Sequence, residues 1–274
     1  MFHKIIGNAL DTVSIETSKV RIEVTTEFGP RIKFFGVPGG KNILFWDNEG
    51  KYVRNDWKLR GGGRVWTTRP WANETEETYM TDNEKCLGII SRSGTKMEIF
   101  APTHPVFKLR KGIEVSKITD NIFRVVSIVD NESDMLWSGG VWALACTDPK
   151  NKTYGIPLGH PWSRWNSFQI TYSPYWANHT SLVNDPQISP NEKFMVIKPA
   201  GRELKRDIKA PMGLIGASDE QEQYTFWKYA PYISDGRYPQ GANIAIYNGP
   251  NNFMTEMETM GPQRILGPGE RIVH

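Results

Sequence analysis

Two glutamates stand two residues apart in Thr255-Glu256-Met257-Glu258-Thr259, bracketed by the turn-forming Pro250-Asn251-Asn252 and Gly261-Pro262. In an extended strand Glu256 and Glu258 point to one face and Met257 to the other. Like charges so placed repel, and one carboxyl titrates higher unless a cation or ligand lies beside it. That is a setting for proton transfer; the plainer alternative is a solvated strand face. A second cluster, Leu59-Arg60-Gly61-Gly62-Gly63-Arg64-Val65-Trp66-Thr67-Thr68-Arg69-Pro70-Trp71, gathers three arginines and two tryptophans around small residues. Glycine lets backbone approach a ligand closely, and arginine offers planar donors to vicinal hydroxyls or a carboxylate. The bland alternative is a turn whose arginines pair with surface acids. Of the five histidines, two lie in aromatic stretches: Gly159-His160-Pro161-Trp162 and Tyr175-Trp176-Ala177-Asn178-His179. An imidazole titrates near neutrality and suits the acid step of sugar-ring opening, although a lone histidine is more often structural.

The elements that must hold these groups show a period of two. Val20, Ile22 and Val24 alternate with Arg21, Glu23 and Thr25. Ile113 and Val115 alternate with Glu114 and Ser116, and Ile244 and Ile246 with Asn243, Ala245 and Tyr247. Ile122 to Val129 is a run rich in β-branched residues. Each reads as a strand. Turn chemistry separates them at Phe28-Gly29-Pro30, Pro38-Gly39-Gly40, Asp130-Asn131-Glu132-Ser133 and Leu266-Gly267-Pro268-Gly269. No apolar stripe at helical spacing is convincing; Ser218 to Tyr229 comes nearest. Strands separated by turns, with no helices between them, predict an all-β antiparallel sandwich, and no linker divides residues 1–274. Residues 162–191 read as a long aromatic and polar excursion, the type of loop that usually carries function.

Composition excludes several classes. Lys plus Arg number 33 against 30 Asp plus Glu, interspersed, so no one-sided basic face for nucleic acid is expected. The two densest basic runs, Lys108 to Lys111 and Arg202 to Lys209, are adjoined or interrupted by acids. Cys86 and Cys146 lack the spacing of a metal site or a disulfide framework and are expected to be buried thiols. No signal peptide and no run of about 18 apolar residues is evident, which predicts no membrane span and a cytoplasmic address. With 10 Trp, 10 Tyr and 12 Phe, aromatic side chains are available beyond ordinary packing, as walls for a sugar ring.

The order of motifs resembles the aldose 1-epimerase, or galactose mutarotase-like, superfamily, in particular its bacterial branches. The resemblance rests on Phe28-Gly29-Pro30-Arg31-Ile32 followed by Gly39-Gly40-Lys41-Asn42-Ile43-Leu44, and on Leu59 to Arg64. It continues through Trp142-Ala143-Leu144, Gly155-Ile156-Pro157-Leu158 and Tyr238 to Asn243, and ends on Glu256 to Pro262 and Leu266 to Glu270. Each motif is short; their order over most of the chain gives the match its weight. The resemblance implies a β-supersandwich with a sugar in a groove on one sheet, a C-terminal glutamate as base, a central histidine as acid, and no cofactor or metal. Glu258, in its Glu-Thr-Met-Gly-Pro setting, fits the base, with Glu256 as the alternative. His160 is the expected acid and His179 the next candidate. Arg60, Arg64, Trp66 and Arg69 are expected to bind substrate, a small sugar or sugar derivative. The sequence departs from typical mutarotases in lacking their paired histidines, and Gly63 stands where related branches often carry histidine. A non-catalytic carbohydrate-binding domain is therefore the main rival. A polysaccharide lyase or hydrolase ranks last, because Glu256 and Glu258, about 7 Å apart by strand rise, lie on the same side of any bound sugar.

Overall fold

The computed structural model describes residues 2–6, 11–54, 56–69, 80, 82–91, 93–159, 169–171 and 183–274. Among these there is no α-helix, and every strand pairing is antiparallel. The largest sheet has ten strands. Its order is Gln169–Thr171, Leu204–Lys209, Ile244–Asn248, Thr255–Met260, Trp137–Thr147, Gly63–Thr68, Arg31–Gly36, Arg21–Thr25 and Thr12–Glu16, with Arg264–Leu266 paired to one end of Trp137–Thr147. A six-stranded sheet is built around Leu109–Lys117 and Phe123–Asn131, and a five-stranded one around Lys152–Pro157 and Leu214–Asp219.

The period-two runs become these strands for the expected reason. Val24 and Ile22 of Arg21–Thr25 turn inward, as do Ile113 and Val115 of Leu109–Lys117. They join Val65, Val141, Met257 and Ile246 of the ten-stranded sheet, and Tyr154, Ile156, Ile215 and Ala217 of the five-stranded one, in a single buried cluster. Both smaller sheets thus cover one face of the ten-stranded sheet, and alternation leaves its other face for a different set of residues. Cys86 and Cys146 are buried free thiols, in line with the sequence.

Ser218 to Tyr229, where helical spacing is unconvincing, holds the turn and second strand of a hairpin whose strands, Leu214–Asp219 and Tyr224–Tyr229, pair in register. Thr225, Trp227 and Tyr229 face outward and are exposed, while Phe226 packs against the core, so the period of two prevails. Within the Arg202 to Lys209 run, Lys205 and Arg206 are 6% and 0% exposed. Of the 162–191 excursion, Gln169–Thr171 and Ile188–Pro190 are short strands, and residues 160–168 and 172–182 lie outside the described residues. No helix among the described residues is long and apolar enough to cross a membrane.

Candidate active site

The face of the ten-stranded sheet opposite the main core is set by register. Leu144 stands opposite Glu258 on one side and Arg64 on the other; Cys146 stands opposite Glu256, and Trp142 lies between Met260 and Trp66. On the next strand Ala245 neighbours Glu258 and Tyr247 neighbours Glu256, and beyond them lie Asp207 and Lys205. Side chains opposite one another in a sheet share a face. Glu256, Glu258, Arg64, Trp66, Trp142, Lys205, Asp207 and Tyr247 therefore converge on one surface.

Two buried ion pairs organise it. Lys205 Nζ donates to Glu258 Oε1 at 2.8 Å and to Oε2 at 2.6 Å, and Trp142 Nε1 donates to Oε2 at 2.9 Å. Arg64 Nη2 donates to Glu256 Oε1 at 2.6 Å, an oxygen that also accepts from Cys146 Sγ at 3.6 Å. The guanidinium of Arg64 lies 4.6 Å from the ring centroids of both Trp57 and Trp66, and Lys205 Nζ lies 4.9 Å from that of Trp142. Trp57, Trp66 and Trp142 meet edge to face, with centroids 5.2 and 6.1 Å apart in sequence. With Leu144, Ala242, Ala245 and Met260 they form a second apolar cluster, separate from the main core. The indoles supply the low-dielectric walls that strengthen both pairs.

A third pair anchors the same face from the side. Arg31, 1% exposed, donates to Asp82 Oδ1 at 2.6 Å through Nη2 and to the Gly61 carbonyl at 2.9 Å through Nη1. Trp57 Nε1 donates to the same Asp82 oxygen at 2.9 Å. This fixes the Gly61-Gly62 turn, where both glycines have positive φ (79° and 73°). A β-carbon on Gly62 would run into the Ile32 carbonyl oxygen and come within 3.1 Å of the Trp46 ring. Only glycine fits there, and the turn launches Gly63–Thr68 with Arg64 and Trp66 aimed at the site.

The electrostatics follow from burial. Glu258 has no solvent exposure, and desolvation pushes its carboxyl up to about 7, with Glu256 and Asp207 adding to the rise and Lys205 opposing it. Burial works against the Lys205 ammonium, but Glu258 and Asp207 more than offset it and its pKa lies above the ordinary lysine value. Burial likewise disfavours an ionised Asp82, but Arg31 and Lys111 outweigh it and hold that carboxyl well below the usual range. The face therefore carries a carboxylate near neutrality, a permanent cation in contact with it, and a second, arginine-bound carboxylate one step along the strand. Such a group can exchange a proton at physiological pH.

Of the residues singled out in the sequence, Glu256, Glu258, Arg64 and Trp66 come together. Arg60 and Arg69 do not join them. Arg60 precedes the glycine turn, donates to the Asn48 carbonyl at 2.6 Å and lies 4.1 Å from the Phe28 ring centroid. Arg69 is exposed, and its carbonyl accepts from Gln263 Nε2 at 2.5 Å. His160 and His179 lie outside the described residues. Sequence reasoning missed Lys205, Asp207, Tyr247, Trp57 and the Arg31–Asp82 pair. Lys205, Asp207 and Tyr247 left a readable signal, since they alternate with Leu204, Ile208 and Ile246, which are buried in the core.

No protein-family model and no curated protein matches the sequence. Solved structures do match in shape. A TPR-domain containing protein from Parabacteroides distasonis superposes with a TM-score of 0.62 at 14% identity, over 95% of this chain and 45% of that one. This chain thus spans less than half of that protein's length. A putative aldose 1-epimerase from Escherichia coli K12 superposes at 0.57 with 11% identity, over 96% of both chains. A galactose mutarotase related enzyme from Lactobacillus acidophilus superposes at 0.58 with 10% identity, over 96% of this chain and 94% of that one. The antiparallel sheets and these superpositions agree with the order of motifs in the sequence: the chain has the galactose mutarotase-like β-sandwich fold.

Proposed function

We propose that the protein binds a sugar on the face that carries Glu258 and interconverts its α and β anomers by acid–base ring opening. One observation carries the reading: Glu258, wholly buried between Lys205 and Trp142, is pushed up to about 7. A base is most effective when its pKa lies near the working pH. In this mechanism Glu258 takes the proton of the anomeric hydroxyl while an acid protonates the ring oxygen. The ring opens, the C1–C2 bond turns, and the ring closes from the other side. His160 is the proposed acid, with His179 second. In this reading Trp66 and Trp142 are walls for the sugar's C–H face, and Arg64, which shares the face with Glu258 where Arg60 and Arg69 do not, orients it. Glu256 holds Arg64, which favours Glu258 as the base. No cofactor enters this chemistry.

The internal pairing of both glutamates supports a second reading, a binding domain whose carboxylates serve structure alone. One experiment separates the two. Anomer exchange is followed by saturation-transfer NMR on freshly dissolved aldoses, uronic acids and sugar phosphates. Under the enzymatic reading Glu258→Gln keeps sugar binding and lowers turnover by about 10²-fold or more, with Glu256→Gln as the control for exchanged roles. The wild-type rate should rise as pH increases through about 7, as the base ionises. A sugar that binds while its exchange stays at the buffer rate leaves only the binding domain.

A further inference from the structure

Behind the candidate site, on the core side of the same sheet, lies a lysine that the proposed mechanism does not use. Lys228 belongs to Tyr224–Tyr229, the edge strand of the five-stranded sheet, and points inward between the sheets. Its Nζ donates to the Ala143 carbonyl at 2.6 Å and to the Met257 carbonyl at 3.3 Å. Those two carbonyls belong to the adjacent strands Trp137–Thr147 and Thr255–Met260 and flank the cross-strand pair of Leu144 and Glu258. Among the described residues, no carboxylate lies within ion-pair distance of Lys228. Lys228 is half-buried as a residue, and an ammonium that meets only carbonyl oxygens there is costly to keep, so charges close by weigh on whether it survives.

The charges around it are few. Burial drives its pKa down to about 7, and Glu258 and Cys146 act in the opposite direction. His274, which packs nearby and shares a hydrogen bond with Thr259 Oγ1 at 2.9 Å, is pushed down to about 4 by its own burial and by Lys228, so it is neutral and adds no charge at pH 7. Around Glu258 the charged groups are Lys205 in contact, Asp207 two strands away beyond Ala245 and Glu256 on its own strand. Lys205 is the dominant cation there. Lys228 acts from the other side of the peptide layer.

We infer that Lys228 is a positioning residue for Glu258: its ammonium, seated on the two carbonyls that flank the glutamate's place in the sheet, favours the charged carboxylate on the opposite face. The inference deepens the proposed function by adding a group that tunes the candidate base without touching the sugar. Such a linkage is reciprocal, so the glutamate must favour the charged lysine by the same amount.

The experiment reads both titrations by NMR in the intact protein, following the Glu258 carboxyl carbon and the Lys228 side-chain carbon next to Nζ against pH. Lys228→Met should raise the Glu258 midpoint by about half a unit or more, and Glu258→Gln should lower the Lys228 midpoint by a similar amount. A residue that only supports the fold would move neither. Should Lys228→Met fail to fold, the lysine titration in Glu258→Gln decides alone. A folded Glu258→Gln variant with an unmoved Lys228 midpoint overturns the inference. Linked midpoints in a protein that leaves anomer exchange at the buffer rate would uphold the linkage and remove the enzymatic reading. Catalysis without linkage would do the reverse.

Discussion

Replacing Lys205 by methionine isolates the contribution of the pair at the centre of the site. The ammonium lies 2.8 and 2.6 Å from the two Glu258 oxygens, and the pair is almost wholly buried. At an effective dielectric of about 20, two unit charges about 2.7 Å apart attract by about 6 kcal/mol, a gross figure offset by the desolvation of both ions. What the experiment measures is the cost of leaving one partner behind, about 3–5 kcal/mol for a buried pair. That cost depends on pH. In both proteins the folded carboxyl titrates above the unfolded value of about 4.3, so the folded state binds the extra proton and stability falls as pH rises through that window. In the wild type the fall ends near the Glu258 value of about 7. Without Lys205 the carboxyl titrates higher still, and stability should keep falling above pH 7 by up to about 1.4 kcal/mol per unit. Urea unfolding between pH 5.5 and 9 should therefore show a penalty that is small in acid and grows in base. A second arm tests the pairing itself. Lys205→Met with Glu258→Leu removes both charges and should be far less destabilised than the sum of the single variants. A penalty that stays flat with pH, or single variants that add, would refute the assignment.

Other consequences follow from the same contacts. Asp82→Asn should cost about 3–5 kcal/mol at neutral pH by stranding Arg31 in the interior. Because the Asp82 carboxyl is held low, its contribution is present above about pH 3.9 and is lost in more acid solution; the variant's acid unfolding limb should accordingly be flatter than the wild type's. Gly62→Ala forces a side chain onto a positive φ and against the Ile32 carbonyl; a melting experiment should show a loss of at least about 1–3 kcal/mol, with weakened sugar binding because Arg64 is displaced. Burial pushes the Cys86 thiol up to about 12 and the Cys146 thiol upward as well, so a disulfide thiol reagent at pH 8 should react with neither until denaturant is added.

The parts of this molecule that the sequence announces are those governed by alternation. Because strand side chains repeat every two residues, Glu256 and Glu258 were legible as a same-face pair, whereas Arg64 and Trp66 were gathered by composition and the order of motifs. What alternation does not encode is which strands become neighbours. Lys205 lies 53 residues from Glu258 along the chain, and only the order of strands in the sheet brings them together. In the Arg202 to Lys209 run the charge is interrupted along the chain, and Lys205 finds its counter-ion inside the fold. Arg60 and Arg64 looked equivalent in the sequence. The left-handed turn at Gly61-Gly62 separates them, sending one to the Asn48 carbonyl and the other to Glu256. The Arg31–Asp82 pair spans 51 residues and left no periodic trace.

The Thr255–Met260 strand works as a ruler. Every odd position from Thr255 to Thr259 belongs with the interior between the sheets, and both glutamates belong to the candidate site. Deleting one residue between Asn248 and Thr255 would slip the strand by one place against both of its neighbours. That slip would drive two carboxylates in among Ile244, Ile246 and Val141 and turn Met257 toward Lys205 and the tryptophans. Substitutions here can therefore be graded, whereas insertions and deletions cannot. A lineage could exchange the chemistry of this strand residue by residue, but its length would be inherited whole.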